Sequence, residues 1–280
     1  MPRYAGNLAA GALAGALYVA GSLSVSGQGI SPPNFASHSN VGWYAYSRAF
    51  IAPATGPGPV QQDPAHPYVS NDEFRVTGRQ PTARVADLNN PILQPWAREA
   101  VRKRNELVLA GKQVVSPSAS CWPKGVTQFL LSPMTQPMYF IQTPKQVVMI
   151  LTSFNDVRRI HLTDKHSANV KTSWYGESIG HYEGDTLVVD TVGLDDRTWV
   201  DGFGTPHTKQ MHVVERWHLI DGGKTLEAQF TVDDPDTFNQ PWSSYLRHTP
   251  GKEPFYEDIC AENNLNLFDY HMPVANKPDF

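Results

Sequence analysis

The chain has 280 residues, enough for one large domain or two small ones, and a formal net charge of -4. No basic run interrupts it, which argues against nucleic acid as a partner. Its 23 prolines and 21 glycines demand many turns and irregular loops rather than a helical bundle.

Residues 1–26 read as an export signal. Arg3 gives a positive start, residues 8–25 carry no charge, and Ser24-Val25-Ser26 offers the small side chains that signal peptidase selects, leaving Gly27 first. The competing reading is a retained anchor, because an uncharged stretch of 18 residues is just long enough to span a bilayer. The expected address is therefore periplasmic or secreted, or else the inner membrane.

Residues 27–88 show little periodicity and much Pro, Gly, Ser and Asn. Trp43, Tyr44, Tyr46, Phe50, Tyr68 and Phe74 predict an extended arm that wraps the rest of the fold through its aromatics. Residues 89–115 hold one amphipathic helix. Pro95 suits its first turn, Leu93, Trp96, Ala97, Ala100, Val101, Leu107 and Val108 recur on its apolar stripe, and Gly111 sits where a terminating glycine belongs. Arg98, Arg102, Lys103 and Arg104 take the other face.

Residues 116–264 are expected to form a barrel, followed by a tail over 265–280. Short apolar runs with turn signals between them predict strands at 138–143, 146–153, 157–162, 174–182, 186–191, 211–220, 225–232 and 242–248. About eight such strands suggest an antiparallel, calycin-like β-barrel, wide enough for packed side chains or one small ligand. The clearest hairpin runs from Met211 to Val232 about Asp221-Gly222-Gly223.

Along that hairpin Glu215 shares a face with Met211, Val213, Trp217 and Leu219. A carboxylate there costs several kcal/mol unless it is paired or protonated. One reading is a structural ion pair with Arg158, Arg159 or Arg247. The other is a polar cluster on the floor of a cavity, in which Glu215 and Asp190 act with His181 and His212 as general acid and base. The residues proposed to line such a cavity are Arg158, Trp174, Trp199, Arg216, Trp217 and Phe230. A metal site built from His181, His212 and a carboxylate is the weaker alternative, since the spacing is not diagnostic. No motif for an organic cofactor is present, and none is predicted. The loop carrying Asp196, Arg197, Trp199 and Asp201-Gly202-Phe203-Gly204 reads equally as a binding loop and as a packed crossover.

Cys121 and Cys260 lack metal-ligand spacing. In an oxidising compartment they would most simply pair with each other.

The run from Ser178 to Asp201, SIGHYEGDTLVVDTVGLDDRTWVD, with PHTKQMHVVERW, FTVDDP, CWPKG and ICAENN, resembles a widespread family of exported bacterial proteins of unassigned function. That likeness covers residues 89–264 and implies an exported barrel without naming a reaction. Two functions stay open: binding of a small apolar or aromatic molecule, or an accessory role in a membrane-associated complex; and a hydrolase, lyase or isomerase using barrel carboxylates and histidines.

Overall fold

The computed structural model describes residues 31–36, 42–45, 47, 49–112, 114–131, 137–152 and 156–251, all within one compact unit that begins at Ser31. Nine strands close a barrel in chain order. They are β1 (Trp43–Ala45), β2 (Met138–Gln142), β3 (Gln146–Leu151), β4 (Asp156–Leu162), β5 (Glu177–Glu183), β6 (Thr186–Val192), β7 (His212–Ile220), β8 (Thr225–Asp233) and β9 (Trp242–Pro250). The helices are α1 (Asn71–Thr77), α2 (Pro95–Leu109) and α3 (Gly125–Leu130).

The architecture differs from the eight-stranded antiparallel expectation in two ways. A ninth strand, β1, comes from the arm and closes the barrel between β9 and β2. Its three residues are too few to show an alternating pattern, so the sequence gives no sign of it. In addition, β4 and β5 pair in parallel, with Ile160 opposite Ser178 and Leu162 opposite Gly180. Two parallel neighbours cannot be joined by a tight turn and need a crossover of about a dozen residues or more. Residues 163–176 supply it. The strand expected at 174–182 accordingly begins later, at Glu177, and Trp174 and Tyr175 belong to the crossover.

The β7–β8 hairpin forms in the expected register, from His212 opposite Asp233 to Ile220 opposite Thr225. Alternation then decides what fills the barrel. Trp217, Leu226, Ala228, Phe230, Trp242 and Leu246 point inward with Met138, Phe140, Val147, Met149 and Ile160. Phe140 meets Trp217 edge-on at 5.5 Å, and Phe230 meets Trp242 edge-on at 5.9 Å. Trp43 and Phe50 from the arm are also buried. Each large apolar side chain taken from water contributes roughly 1.5–3 kcal/mol, so this packed interior is the main source of stability.

Helix α2 covers the barrel with Ala97, Val101 and Asn105. Asn105 is buried but not orphaned: it bonds both the N–H and the carbonyl of Ala86, at 2.9 and 2.8 Å. The polar side chain therefore fastens the arm to the helix.

Cys121 is not a free thiol, and Cys260, its partner in the expected bridge, lies outside the described residues. Among the described residues no helix is long and apolar enough to cross a membrane. Residues 1–26 and the tail at 265–280 lie outside the described residues.

Candidate functional site

Inside the barrel, Glu215 is closed off. It and Arg158 are both fully buried. The guanidinium donates to the two carboxylate oxygens at 2.9 and 2.6 Å, to Thr191 Oγ1 at 2.9 Å and to Ser178 Oγ at 3.2 Å. Trp217 Nε1 donates to Glu215 Oε2 at 2.9 Å. Strand geometry builds this set. Arg158 faces inward from β4 and reaches past Ser178 on β5 and Thr191 on β6 to Glu215 on β7. The cluster is satisfied from every side by protein atoms and has no open face for a substrate. Glu215 is thus removed as a catalytic group, and Arg158 as a ligand-binding one. Trp217 and Phe230, also expected to line a cavity, are core.

Outside the barrel, the crossover brings a second set together. Glu177 and Asp190 point outward from β5 and β6, and His212 stands at the start of β7. Because residues 163–176 must return over the outer face of the sheet, His166 comes to lie between the carboxylates. Its Nδ1 is 3.0 Å from Glu177 Oε1 and its Nε2 is 2.9 Å from Asp190 Oδ1. His212 Nε2 reaches the same Asp190 Oδ1 at 3.0 Å. Asp190 and His212 are each 39% exposed, so water and solutes reach them. Glu177 is held below the usual carboxylate range, chiefly by the Ser167 hydroxyl and backbone N–H and also by His166.

The crossover also walls a cleft of about 590 Å³ on the outer face, open to solvent. Arg159 and His161 project into it from β4, Lys171, Trp174 and Tyr175 from the crossover, and Glu177 from the start of β5. Glu177 is shared, so the cleft and the histidine–carboxylate set adjoin. Gly176 makes the turn into β5 with φ of 60°, and a Cβ there would lie 2.2 Å from the Val192 carbonyl oxygen. Trp174 is held by Arg197, whose guanidinium lies 4.1 Å from the ring centroid, and by Trp122 at 5.6 Å. Arg197 is in turn fixed by Asp195 at 2.7 Å. Beside the cleft, burial raises Asp156 above the ordinary aspartate value.

Of the sequence-derived candidates, Asp190 and His212 come together and Trp174 lines the adjoining cleft. The others lie elsewhere. His181 points outward farther along β5 and meets Glu183 at 3.0 Å. Arg216 pairs with that same Glu183 at 2.7 Å. Trp199 is packed beneath Arg104, 4.8 Å from its ring centroid. The His181–His212 metal alternative fails on placement: among the described residues no three His, Cys, Asp or Glu side chains are set to hold an ion.

The loop around Asp201 proves to be a packed crossover. Asp201 is buried and accepts from Thr205 Oγ1 at 2.6 Å and from the Phe203 N–H at 2.9 Å, while burial raises its carboxyl. His207 is buried against Thr198 Oγ1 at 2.7 Å, and burial lowers its ring below the ordinary histidine value.

Sequence reasoning missed Arg159, His166, Lys171 and Glu177 as site residues. Alternation along Val157–Leu162 does place Arg159 and His161 on the face opposite Arg158. Nothing local marks His166, because its position depends on the parallel pairing of β4 and β5. No protein-family model matches the chain, and neither a curated protein nor a solved structure does.

Proposed function

We propose that the protein is an acid–base enzyme of the hydrolase, lyase or isomerase kind, working at the outer face of β5–β7 beside the crossover cleft. The observation that carries this reading is the meeting of two imidazoles on one carboxylate oxygen, Asp190 Oδ1, at 2.9 and 3.0 Å. Their surroundings differ. His166 has a carboxylate on each ring nitrogen and makes both bonds only with both nitrogens protonated. His212 has a carboxylate on Nε2 alone, a bond the ring can make with Nδ1 unprotonated. In that tautomer Nδ1 carries a lone pair.

One carboxylate thus orients both rings through their Nε2 atoms and leaves His212 Nδ1 as the ring nitrogen placed to handle a proton. In the reaction, His212 Nδ1 takes a proton from water or from an acidic C–H of the substrate. Asp190 stabilises the cation that forms, and His166 offers positive charge to the oxygen on which negative charge develops. His212 then returns its proton to the leaving group or to the neighbouring carbon. Glu177 and Asp190 hold His166 in place.

A calycin-like cup for an apolar ligand inside the barrel is the weaker reading, because Trp217, Trp242, Phe140 and Phe230 occupy that space. Membership of an exported bacterial family, with a periplasmic address, forms part of the proposal and rests on the sequence runs quoted above. The test is a turnover screen with activated esters, lactones and epoxides. His212→Gln should lower any turnover by about 10²–10⁴-fold, the range for a lost general base. His181→Gln, beyond the cluster, should leave it unchanged. Equal loss in both variants, or none in His212→Gln, would remove His212 from the chemistry.

A further inference from the structure

We propose that the crossover cleft binds the oxyanion of a small organic acid, a carboxylate or phosphate group carried on a flat ring. The inference rests on the acid–base reading of the same site and names the class of substrate presented to it.

Arg159 carries the argument. Among the described arginines its side chain alone makes no hydrogen bond, ion pair or ring contact with a described residue. Arg75, Arg79, Arg102, Arg158, Arg197, Arg216 and Arg247 each hold a carboxylate. Arg84 and Arg98 donate to backbone carbonyls, and Arg104 lies over Trp199. Arg159 instead points into the cleft, where Lys171 is also without a carboxylate partner among the described residues. The acidic side chain on that wall, Glu177, is already engaged by His166 and Ser167. Two unneutralised cations therefore face one concave space on a chain whose formal net charge is -4.

A guanidinium presents a planar fork of donors that matches a carboxylate or phosphate through two parallel bonds, and a nearby ammonium adds charge without directional demand. Trp174 is fixed by Arg197 and Trp122 and offers part of its indole to the cleft as a rigid apolar wall. The cleft volume of about 590 Å³ suits a small molecule rather than a polymer. An anion seated on Arg159 and Lys171 would leave the rest of the molecule toward Glu177, and so toward the histidine pair.

The test is calorimetric titration with benzoate, phenyl phosphate and neutral benzamide, accompanied by the NMR shift of the Trp174 indole N–H. Both anions, or one of them, should bind and move that resonance, and benzamide should bind at least about tenfold more weakly. The stronger anion identifies the headgroup. Arg159→Met should weaken anion binding about tenfold or more, the scale of one charge-assisted contact. Lys171→Met should weaken it less, and Lys224→Met, in the exposed β7–β8 turn, should not change it. Arg159 is exposed, so its variant is expected to fold, which circular dichroism checks.

Benzamide binding as tightly as the anions would overturn the inference. So would wild-type protein that moves no Trp174 resonance with either anion, or Arg159→Met that binds like wild type. His212→Gln separates this inference from the acid–base reading. Anion binding kept while His212→Gln turns over like wild type would sink only the chemistry. Turnover of neutral substrates without anion binding would sink only the inference.

Discussion

Replacing Glu215 by Gln should unfold much of this protein's stability reserve while leaving the outer site chemically intact. Glu215 is fully buried, and its two oxygens accept three hydrogen bonds, two from Arg158 and one from Trp217. Glutamine keeps the shape but loses the charge, and it turns an NH₂ toward a guanidinium that can only donate. Arg158 is then a buried cation with its charge uncompensated. Breaking one partner of such a pair costs about 3–5 kcal/mol. With a urea m-value near 3 kcal/mol/M, the midpoint should fall by about 1–1.7 M. The double variant Arg158→Met with Glu215→Leu removes both charges and should recover most of the loss, since a buried pair is often matched by apolar residues of similar volume. Urea unfolding followed by tryptophan fluorescence measures all three proteins. A loss under about 1 kcal/mol in Glu215→Gln, or a double variant no better than the single one, would refute the assignment of the pair as a structural strut.

Acid should weaken the fold through His248. This ring is fully buried against the Leu130 and Leu226 carbonyls, and burial lowers its pKa from 6.5 to about 4. The unfolded chain therefore binds the extra proton first. Stability contributed by the neutral ring is complete above 6.5 and is lost as pH falls toward about 4. The total is about 3 kcal/mol. His207, lowered by burial, adds to the same slope. Asp156 and Asp201 act with the opposite sign, because their raised carboxyls favour the fold when protonated and lose that increment as pH rises through the raised values. Urea midpoints from pH 7.5 to 4.5 should fall steadily, and a flat profile between 6.5 and 5 would contradict the burial of His248. Gly176→Ala should destabilise by more than 1 kcal/mol, because its Cβ would strike the Val192 carbonyl at 2.2 Å. Its thermal melt should also show disturbed Trp174 fluorescence, and an unchanged melt would mean that the crossover entry relaxes freely.

The β7–β8 hairpin was legible because its alternation is strict and its turn chemistry local. Helix α2 was legible from Pro95, its spacing and Gly111. Glu215 stood out because a carboxylate interrupts an apolar face, and Arg158 was among its expected partners. That same signal misdirected the functional reading, since an odd charge on a dry face marks a buried strut as readily as a reacting group. His181 was misplaced for a related reason: strand parity puts it outside, but parity does not say how far along β5 it lies from Asp190. The site itself depends on the parallel β4–β5 pair. Pairing direction is a long-range property that no window of sequence carries, so neither the return of the crossover nor the approach of His166 to Glu177 and Asp190 was readable. Closure by β1 was hidden in the same way, because three residues of an irregular arm pair with strands distant in sequence.

The most direct test of the central claim is the turnover of Asp190→Asn, measured beside His212→Gln on whichever ester, lactone or epoxide the wild-type protein consumes. Both variants should fold like wild type, and each should lose about 10²–10⁴-fold in kcat. The double variant should be little worse than either single one, since the two residues act as one unit. Wild-type turnover retained in Asp190→Asn, or losses that multiply in the double variant, would contradict a shared carboxylate–imidazole site.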